Sequence, residues 1–403
     1  KRAGGISASA IPLYLPPEKS NTETGFDSNV FFGAISMYLR EKVALFKNMP
    51  AFLDKFFDSP LFLKLASGMS GTTRTEGLEE LTLNMIEGDN AFKQHEVKRL
   101  VKYLEKNGRP DVIHLSNALI LGLARQLKNH IDVKVVCSLL NEDDWIEDMI
   151  EPFKSRAWEL IAKEAVFVDR FVTPSQYYKD MFLAKTGLSG EKIDVIPLGF
   201  DPENLQADKP ETRNPAIGYF CRVNAHNGFD KLVDAFILMK KENSIPGLSL
   251  NVCGGFTSDD KPFVLSQIKK IRDHGFKKDV RIFPEFQGNK KAEFFHSVDI
   301  ISVPVRKYDG YGLYLLEANI AGVPVVQPST GAFPEIIKNT GGGITYEPDD
   351  VETLARSLTE LMKNKSMREQ LGKQGYAGVR SELSLGRMSE RLEKMYRRTM
   401  DNL

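Results

Sequence analysis

Glu317 stands out first among the residues that can do chemistry. It lies in Leu313-Tyr314-Leu315-Leu316-Glu317-Ala318-Asn319-Ile320-Ala321, a helix-length run with little other polarity. A carboxylate in such a run is costly unless something donates hydrogen bonds to it, and the hydroxyls of a sugar would do so. A Glu that caps a neighbour or faces solvent is the plainer alternative. Just before the run, Tyr308-Asp309-Gly310-Tyr311-Gly312 reads as a turn with glycines where the backbone bends or approaches a ligand closely. A helix start at that turn offers unpaired N–H groups and a positive dipole end, which suits a phosphate. Arg222 supplies a cation at a predicted strand end. Asp111 to Asn117 ends another strand and opens a helix, bringing His114, Ser116 and Asn117 to the end where open α/β sheets contact ligands. His114 also reads as a core histidine. Glu142 and Asp143 follow the strand predicted from Val133 to Leu139; they suit ligand hydroxyls, or simply a helix N-terminus. Thr340-Gly341-Gly342-Gly343 lacks the Lys-Ser/Thr of a P-loop and reads as a tight strand entry. Asp259-Asp260 and Asp349-Asp350 read as helix starts rather than metal ligands.

The elements that must position these groups alternate along the chain, which predicts an α/β fold with parallel sheets. Predicted strands are Ala10 to Leu15, Asp111 to Leu115, Val133 to Leu139, Arg170 to Thr173, Ile193 to Pro197, Ala216 to Arg222, Asn251 to Gly255, Val280 to Glu285, Ile300 to Val305 and Val323 to Gln327. The last is continuously apolar, as a strand buried on both faces requires. Predicted helices include Glu79 to Asn107 with a break near Gly88, Ser175 to Lys185, Gly228 to Lys241, Leu313 to Ala321 stopped by Gly322, and Leu385 to Met400. Gly199 to Pro215, rich in Pro and charge, reads as a linker.

A chain of 403 residues is too long for one core, so two domains are expected. Lys plus Arg and Asp plus Glu each number 54, and this balance removes any whole-protein electrostatic case for nucleic acid. No apolar run has the length of a membrane span, and no signal peptide is recognisable. Cys137, Cys221 and Cys253 are far apart and without CxxC spacing, so they read as free thiols in a reducing compartment, the cytoplasm. Residues 31–69 are rich in Phe, Leu, Met and Lys. They suit peripheral contact with the inner face of a membrane, or equally helices packed on a sheet.

One constellation goes further. Asp309, seven residues, Glu317-Ala318, then Gly322-Val323-Pro324-Val325-Val326 and Gly331-Ala332-Phe333-Pro334-Glu335 resemble the nucleotide-binding core of retaining family 4 glycosyltransferases. These are glycosyl transferases of group 1 with the GT-B fold. The resemblance is strongest over residues 299–348. It implies two Rossmann-like domains facing across a cleft: 1–200 on the acceptor side, a linker at 201–215, a nucleotide-sugar domain at 216–384, and a helix at 385–403 that returns to the first domain. It also implies a strand, a glycine-rich loop and a helix ahead of Ala10 to Leu15, where only nine residues stand. That first β-α unit is expected to be absent from this chain, with Gly4-Gly5 as a remnant.

The implied activity is metal-independent transfer of a sugar from a nucleotide-sugar to a glycan, lipid or other hydroxyl acceptor, with retention of anomeric configuration and no cofactor. A UDP-sugar is the first expectation, with GDP- and ADP-sugars as alternatives. The resemblance assigns the diphosphate to Arg222, the ribose to Glu317, and the sugar to Asp309 with the turn Gly331, Ala332 and Phe333. Gly310, Gly312 and Leu313 would complete the donor site, and the loop at Glu285 would touch the base. His114, Ser116, Asn117, Glu142 and Asp143 fall on the acceptor side. Two positions depart from the pattern: Asp309 stands where Glu is usual, and Asn227 where a second diphosphate cation, Lys, is usual. Together with the missing first β-α unit they favour a rival reading, a GT-B-shaped nucleotide-sugar-binding protein with weak catalysis. A nucleotide-sugar epimerase or phosphorylase is a third, and no candidate pyridoxal-phosphate Lys supports the latter.

Overall fold

The computed structural model describes residues 6–11, 77–88, 91–201, 214–283, 288–306, 311–348 and 350–401. They fall into two units. One holds the described residues up to Thr173, Lys179–Asp194 and those from Arg391; the other holds Pro174–Tyr178 and those from Val195 to Glu390. Residues 12–15 of the strand expected from Ala10 to Leu15, the stretch 31–69 and most of the linker lie outside the described residues.

The first unit contains a sheet in the order β1-β2-β3-β4, formed by Val112–Leu115, Lys134–Ser138, Arg170–Thr173 and Ile193–Val195. β1 pairs parallel with β2, and β2 with β3. The central strand supplies the fully buried Val135, Val136 and Cys137, as a strand covered on both faces must. The helices are α1 (Glu79–Glu87), α2 (Ala91–Asn107), α3 (Gly122–Lys128), α4 (Glu142–Glu147), α5 (Phe153–Glu164) and α6 (Gln176–Thr186). The break expected near Gly88 has a steric origin. Gly88 closes α1 with φ 72°, and a Cβ there would come within 2.8 Å of the Gly122 backbone, so only glycine fits. Asp169 extends the ladder of β3: its carboxylate accepts from Val135 N at 2.7 Å and is paired with Lys128.

The second unit is a six-stranded parallel sheet. Its strands are β5 (Ala216–Phe220), β6 (Ser249–Cys253), β7 (Val280–Phe283), β8 (Ile300–Ile301), β9 (Val325–Pro328) and β10 (Gly343–Tyr346), in the order β10-β9-β8-β5-β6-β7. Counted within the unit, this is the doubly wound order whose direction reverses between its first and fourth strands, here β5 and β8. The helices are α7 (Phe229–Lys241), α8 (Lys261–Asp273), α9 (Gly288–His296), α10 (Leu313–Ile320), α11 (Phe333–Thr340), α12 (Val351–Lys363) and α13 (Lys365–Glu382); α14 (Leu385–Asp401) starts in this unit and from Arg391 on belongs to the first. The core is continuous from Ile217 and Tyr219 through Phe294 and Ile301 to Leu315, Val325 and Leu358. Asp350 caps α12 as expected, accepting from Glu352 N at 3.0 Å.

The strand expected over Ile300 to Val305 is shorter: Ser302 N still donates to the Gly218 carbonyl of β5, but toward β9 side chains replace the ladder beyond Ile301. Ser302 Oγ donates to the Val326 carbonyl, and Gln327 Oε1 accepts from Val303 N. Pro304 then has no N–H to continue the pairing. Among the described residues, no helix is long and apolar enough to cross a membrane.

Candidate functional site

Open parallel sheets bind ligands beyond the strand ends at the point of reversal, because neighbouring loops there diverge to opposite faces. The relevant ends here are those of β5 and β8; of the residues singled out from the sequence, Arg222 and Asn227 follow the first, and Gly312, Leu313 and Glu317 follow the second. Arg222 follows β5. Its Nε donates to Asp260 Oδ2 at 2.8 Å and its Nη2 to Thr257 Oγ1 at 3.0 Å. Asp260 stands at the start of α8, as read from the sequence, but its side chain does not cap that helix; it holds Arg222. Burial alone would raise the Asp260 pKa. The Thr257 N–H, the Arg222 guanidinium and the Thr257 hydroxyl outweigh it, and the net shift is downward.

Asn227 spends its amide inside the loop: Nδ2 donates to the Arg222 carbonyl at 2.9 Å, an oxygen that also accepts from the Tyr219 hydroxyl. The next residue, Gly228, has φ 68°, and a Cβ there would overlap the Pro304 carbonyl oxygen at 1.7 Å. The loops after β5 and β8 thus touch backbone to backbone. Arg306 ties them further, donating from Nη1 to Asp230 Oδ1 at 2.7 Å and from the same atom to the Ala225 carbonyl.

On the other side of the reversal, Gly312 precedes α10 with φ 73°. No side chain caps this helix, so its first N–H groups receive no side-chain acceptor from within it. A Cβ on Gly312 would meet the Phe333 ring at 2.8 Å. Phe333 is fully buried, Gly331 has φ 60°, and Ala332 precedes α11, so this turn presents backbone rather than side chains. Leu313 is exposed. Glu335, at the end of the same motif, accepts from Gln176 N at 2.9 Å and so caps that helix start.

Glu317, one turn into α10, is mostly buried and meets Lys291 of α9, whose Nζ lies 2.5 Å from its Oε1. Cys253, at the end of β6, is beside this pair: burial, then the Glu317 charge, push its thiol up to about 12 against an opposing effect of Lys291. Asp309, Gly310 and Glu285 lie outside the described residues.

The acceptor-side candidates belong to the first unit, and several have structural tasks there. Glu142 is buried and accepts from Ala118 N at 2.8 Å and Leu140 N at 2.7 Å. Asn117 caps the turn Ala118–Ile120 through Leu119 N, and Ser116 Oγ accepts from Asn117 Nδ2 at 3.4 Å. Asp143 is buried. His114 has Nε2 2.9 Å from Ser138 Oγ and Nδ1 2.5 Å from the Tyr396 hydroxyl of α14. The residue as a whole is exposed, but its ring is hemmed in by these partners, and desolvation lowers its pKa to about 4.

From sequence Lys291, like Lys290, reads only as a stand-in cation for the diphosphate, and its pairing with Glu317 was not assigned; nor were Thr257 and the side-chain role of Asp260. A signal for Lys291 existed. Gly288-Asn289-Lys290-Lys291 puts two cations in the first turn of a helix, where the dipole disfavours them, so something nearby had to compensate.

Residues 201–378 match the family described as Glycosyl transferases group 1, and residues 81–204 match Glycosyltransferase Family 4. Sucrose-phosphate synthase from Thermosynechococcus elongatus superposes with a TM-score of 0.65 at 17% identity, covering 81% of this chain and 80% of that one. Alr3699/HepE of Anabaena, solved in complex with UDP, gives 0.66 at 16% identity over 76% and 84% of the two chains. The fold is therefore GT-B, built from two Rossmann-like domains. Among curated relatives, a glycogen synthase of Mycobacterium tuberculosis is 23% identical over 265 residues, which are 64% of this chain. The match takes in only 61% of that relative's length.

Proposed function

We propose that this chain is a retaining glycosyltransferase that takes its sugar from a nucleotide-sugar, with a UDP-sugar as the first candidate donor. The observation that carries the proposal is Glu317, a mostly buried carboxylate one turn into a helix with no side-chain cap, at the reversal point of a doubly wound sheet. In this reading the diphosphate lies on the α10 N-terminus and Arg222, Glu317 accepts from the ribose hydroxyls, and Asp309 with the Gly331–Phe333 turn faces the sugar. The bond from the anomeric carbon to the diphosphate breaks as the acceptor hydroxyl attacks from the same face. A donor phosphate oxygen takes the acceptor proton. The protein's task is to position the reactants and to stabilise the charge growing on the leaving diphosphate. The UDP bound to Alr3699/HepE supports a uridine donor; the acceptor in this reading is a glycan, lipid or other hydroxyl.

Glu317→Gln tests the assignment. It is expected to weaken nucleotide binding by about 1–3 kcal/mol, the range for a hydrogen bond to a charged group. Calorimetry that finds unchanged affinity in a folded variant removes Glu317 from the site. The donor itself is read by thermal shift with UDP-, GDP- and ADP-glucose.

Asn227 sets the rate in this proposal. Its amide is committed to the Arg222 carbonyl, so one of the two cations usual at the diphosphate is missing. Losing one such donor typically costs about 100- to 1000-fold in rate. Transfer is therefore expected to be slow relative to donor binding. Asn227→Lys, alone or with Asp309→Glu, is expected to speed transfer or donor hydrolysis. Ordinary enzyme rates in the unaltered chain, or slowing by Asn227→Lys, would overturn this.

A further inference from the structure

We propose that Lys291 determines specificity at the donor site, reading the ribose diol as a unit with Glu317. The inference rests on the donor-site reading above and adds a residue to it.

The geometry is simple. Lys291 reaches Glu317 Oε1 from the first turn of α9, and both side chains are mostly buried, with 21% and 16% of their surfaces exposed. The ammonium also lies 5.8 Å from the centre of the Phe200 ring. A lysine in a helix's first turn works against the dipole, so its position is held by Glu317 rather than by its own helix. The pair stands beside Cys253 at the end of β6, the strand next to β5, on the side where the sheet opens for a ligand.

Each ribose hydroxyl is both a donor and an acceptor. A carboxylate alone satisfies only the two protons. An ammonium carries three donors, of which Glu317 takes one, so a second can meet a hydroxyl oxygen. The pair thus offers the complementary set that a vicinal diol requires. A site built to satisfy both halves of a hydroxyl penalises a ligand that lacks it, because buried polar groups are then left without partners.

Calorimetry on the full chain provides the test, with UDP, GDP and ADP and their 2′-deoxy and 3′-deoxy forms as ligands. The proteins are the unaltered chain, Lys291→Met and Lys291→Arg. The unaltered chain is expected to bind a ribose nucleotide about 10- to 100-fold more tightly than at least one deoxy form. Lys291→Met is expected to lose most of that preference, and Lys291→Arg to keep much of it. If Lys291→Met is folded by circular dichroism and retains the full preference, the proposal is overturned and the ion pair only holds α9 to α10. A chain that binds the ribose and deoxy forms equally also overturns it. Failure to bind any of the nucleotides is a separate result, which sinks the donor-site reading itself.

Discussion

Arg222 is held before any ligand arrives. A guanidinium on a strand end has several rotatable bonds, and Asp260 with Thr257 fixes two of its nitrogens. Pre-positioning of this kind lowers the entropy lost on binding a diphosphate. Asp260→Ala is therefore expected to weaken UDP binding about 10-fold, measured by calorimetry. Tighter binding in that variant would mean that Asp260 competes with the phosphate rather than presenting the Arg to it. His114 carries a second expectation at this scale. Its pKa in the folded chain is depressed to about 4, whereas an unfolded histidine titrates near 6.5. Between these values the unfolded chain binds the extra proton, so the contribution of the neutral imidazole is complete above about pH 6.5 and erodes as pH falls toward about 4. An NMR titration that finds His114 protonating near 6.5 would refute the packing around its ring.

At the scale of elements, the sharpest constraints lie where two pieces of backbone meet. Gly228 combines φ 68° with a Pro304 carbonyl that occupies the place of any Cβ. Gly228→Ala must move either the start of α7 or the loop after β8, and a cost of about 2 kcal/mol or more is expected in urea unfolding. The first unit has an electrostatic counterpart. Glu164 of α5 is fully buried and meets Arg125 of α3 at 2.9 Å, while its other carboxylate oxygen is buried without a partner. Arg125 also donates to the Glu87 carbonyl at the end of α1. Removing the cation alone strands a buried charge, so Arg125→Met is expected to cost about 3–5 kcal/mol. Replacing Glu164 as well, by Met, should recover most of that loss. A double variant as unstable as the single one would show that packing, not charge, sets the cost.

At the scale of the molecule, three carboxylates share one pH response. Glu147, Asp230 and Asp260 are all pushed up by burial, and in each case cationic or N–H partners outweigh that: Lys185, Trp158 and Lys154 for Glu147, Arg306 for Asp230, Thr257 and Arg222 for Asp260. Their folded pKa values lie below the unfolded ones. The stability they contribute is present above about pH 4–4.5 and is lost as pH falls through the lowered values. Denaturant midpoints should therefore drop between about pH 5 and pH 3, and a profile flat over that window would contradict the pairings. Vesicle sedimentation addresses residues 31–69. Binding to anionic vesicles at low salt, released by added salt, is the outcome for an interfacial segment. No sedimentation leaves these residues to packing on the protein.

Much of this protein was readable along the chain. The continuously apolar strands and the alternation with helices announce two parallel sheets, because a strand buried on both faces has no polar side to encode. Glycines before α7 and α10 mark positive φ, a requirement each residue carries by itself. The Asp309–Glu317 spacing and the Gly-x-x-x-Glu turn pointed to a donor site for the same reason: both lie within one short stretch. What the sequence left open were partners. Asp260 is 38 residues from the Arg222 it holds, and Lys291 is 26 from Glu317. The Asn227 amide turned to a carbonyl in its own loop instead of outward. A charged side chain names what it can bind but not which group will come within 3 Å. That depends on helices following different strands being brought side by side, and only the packed sheet decides it.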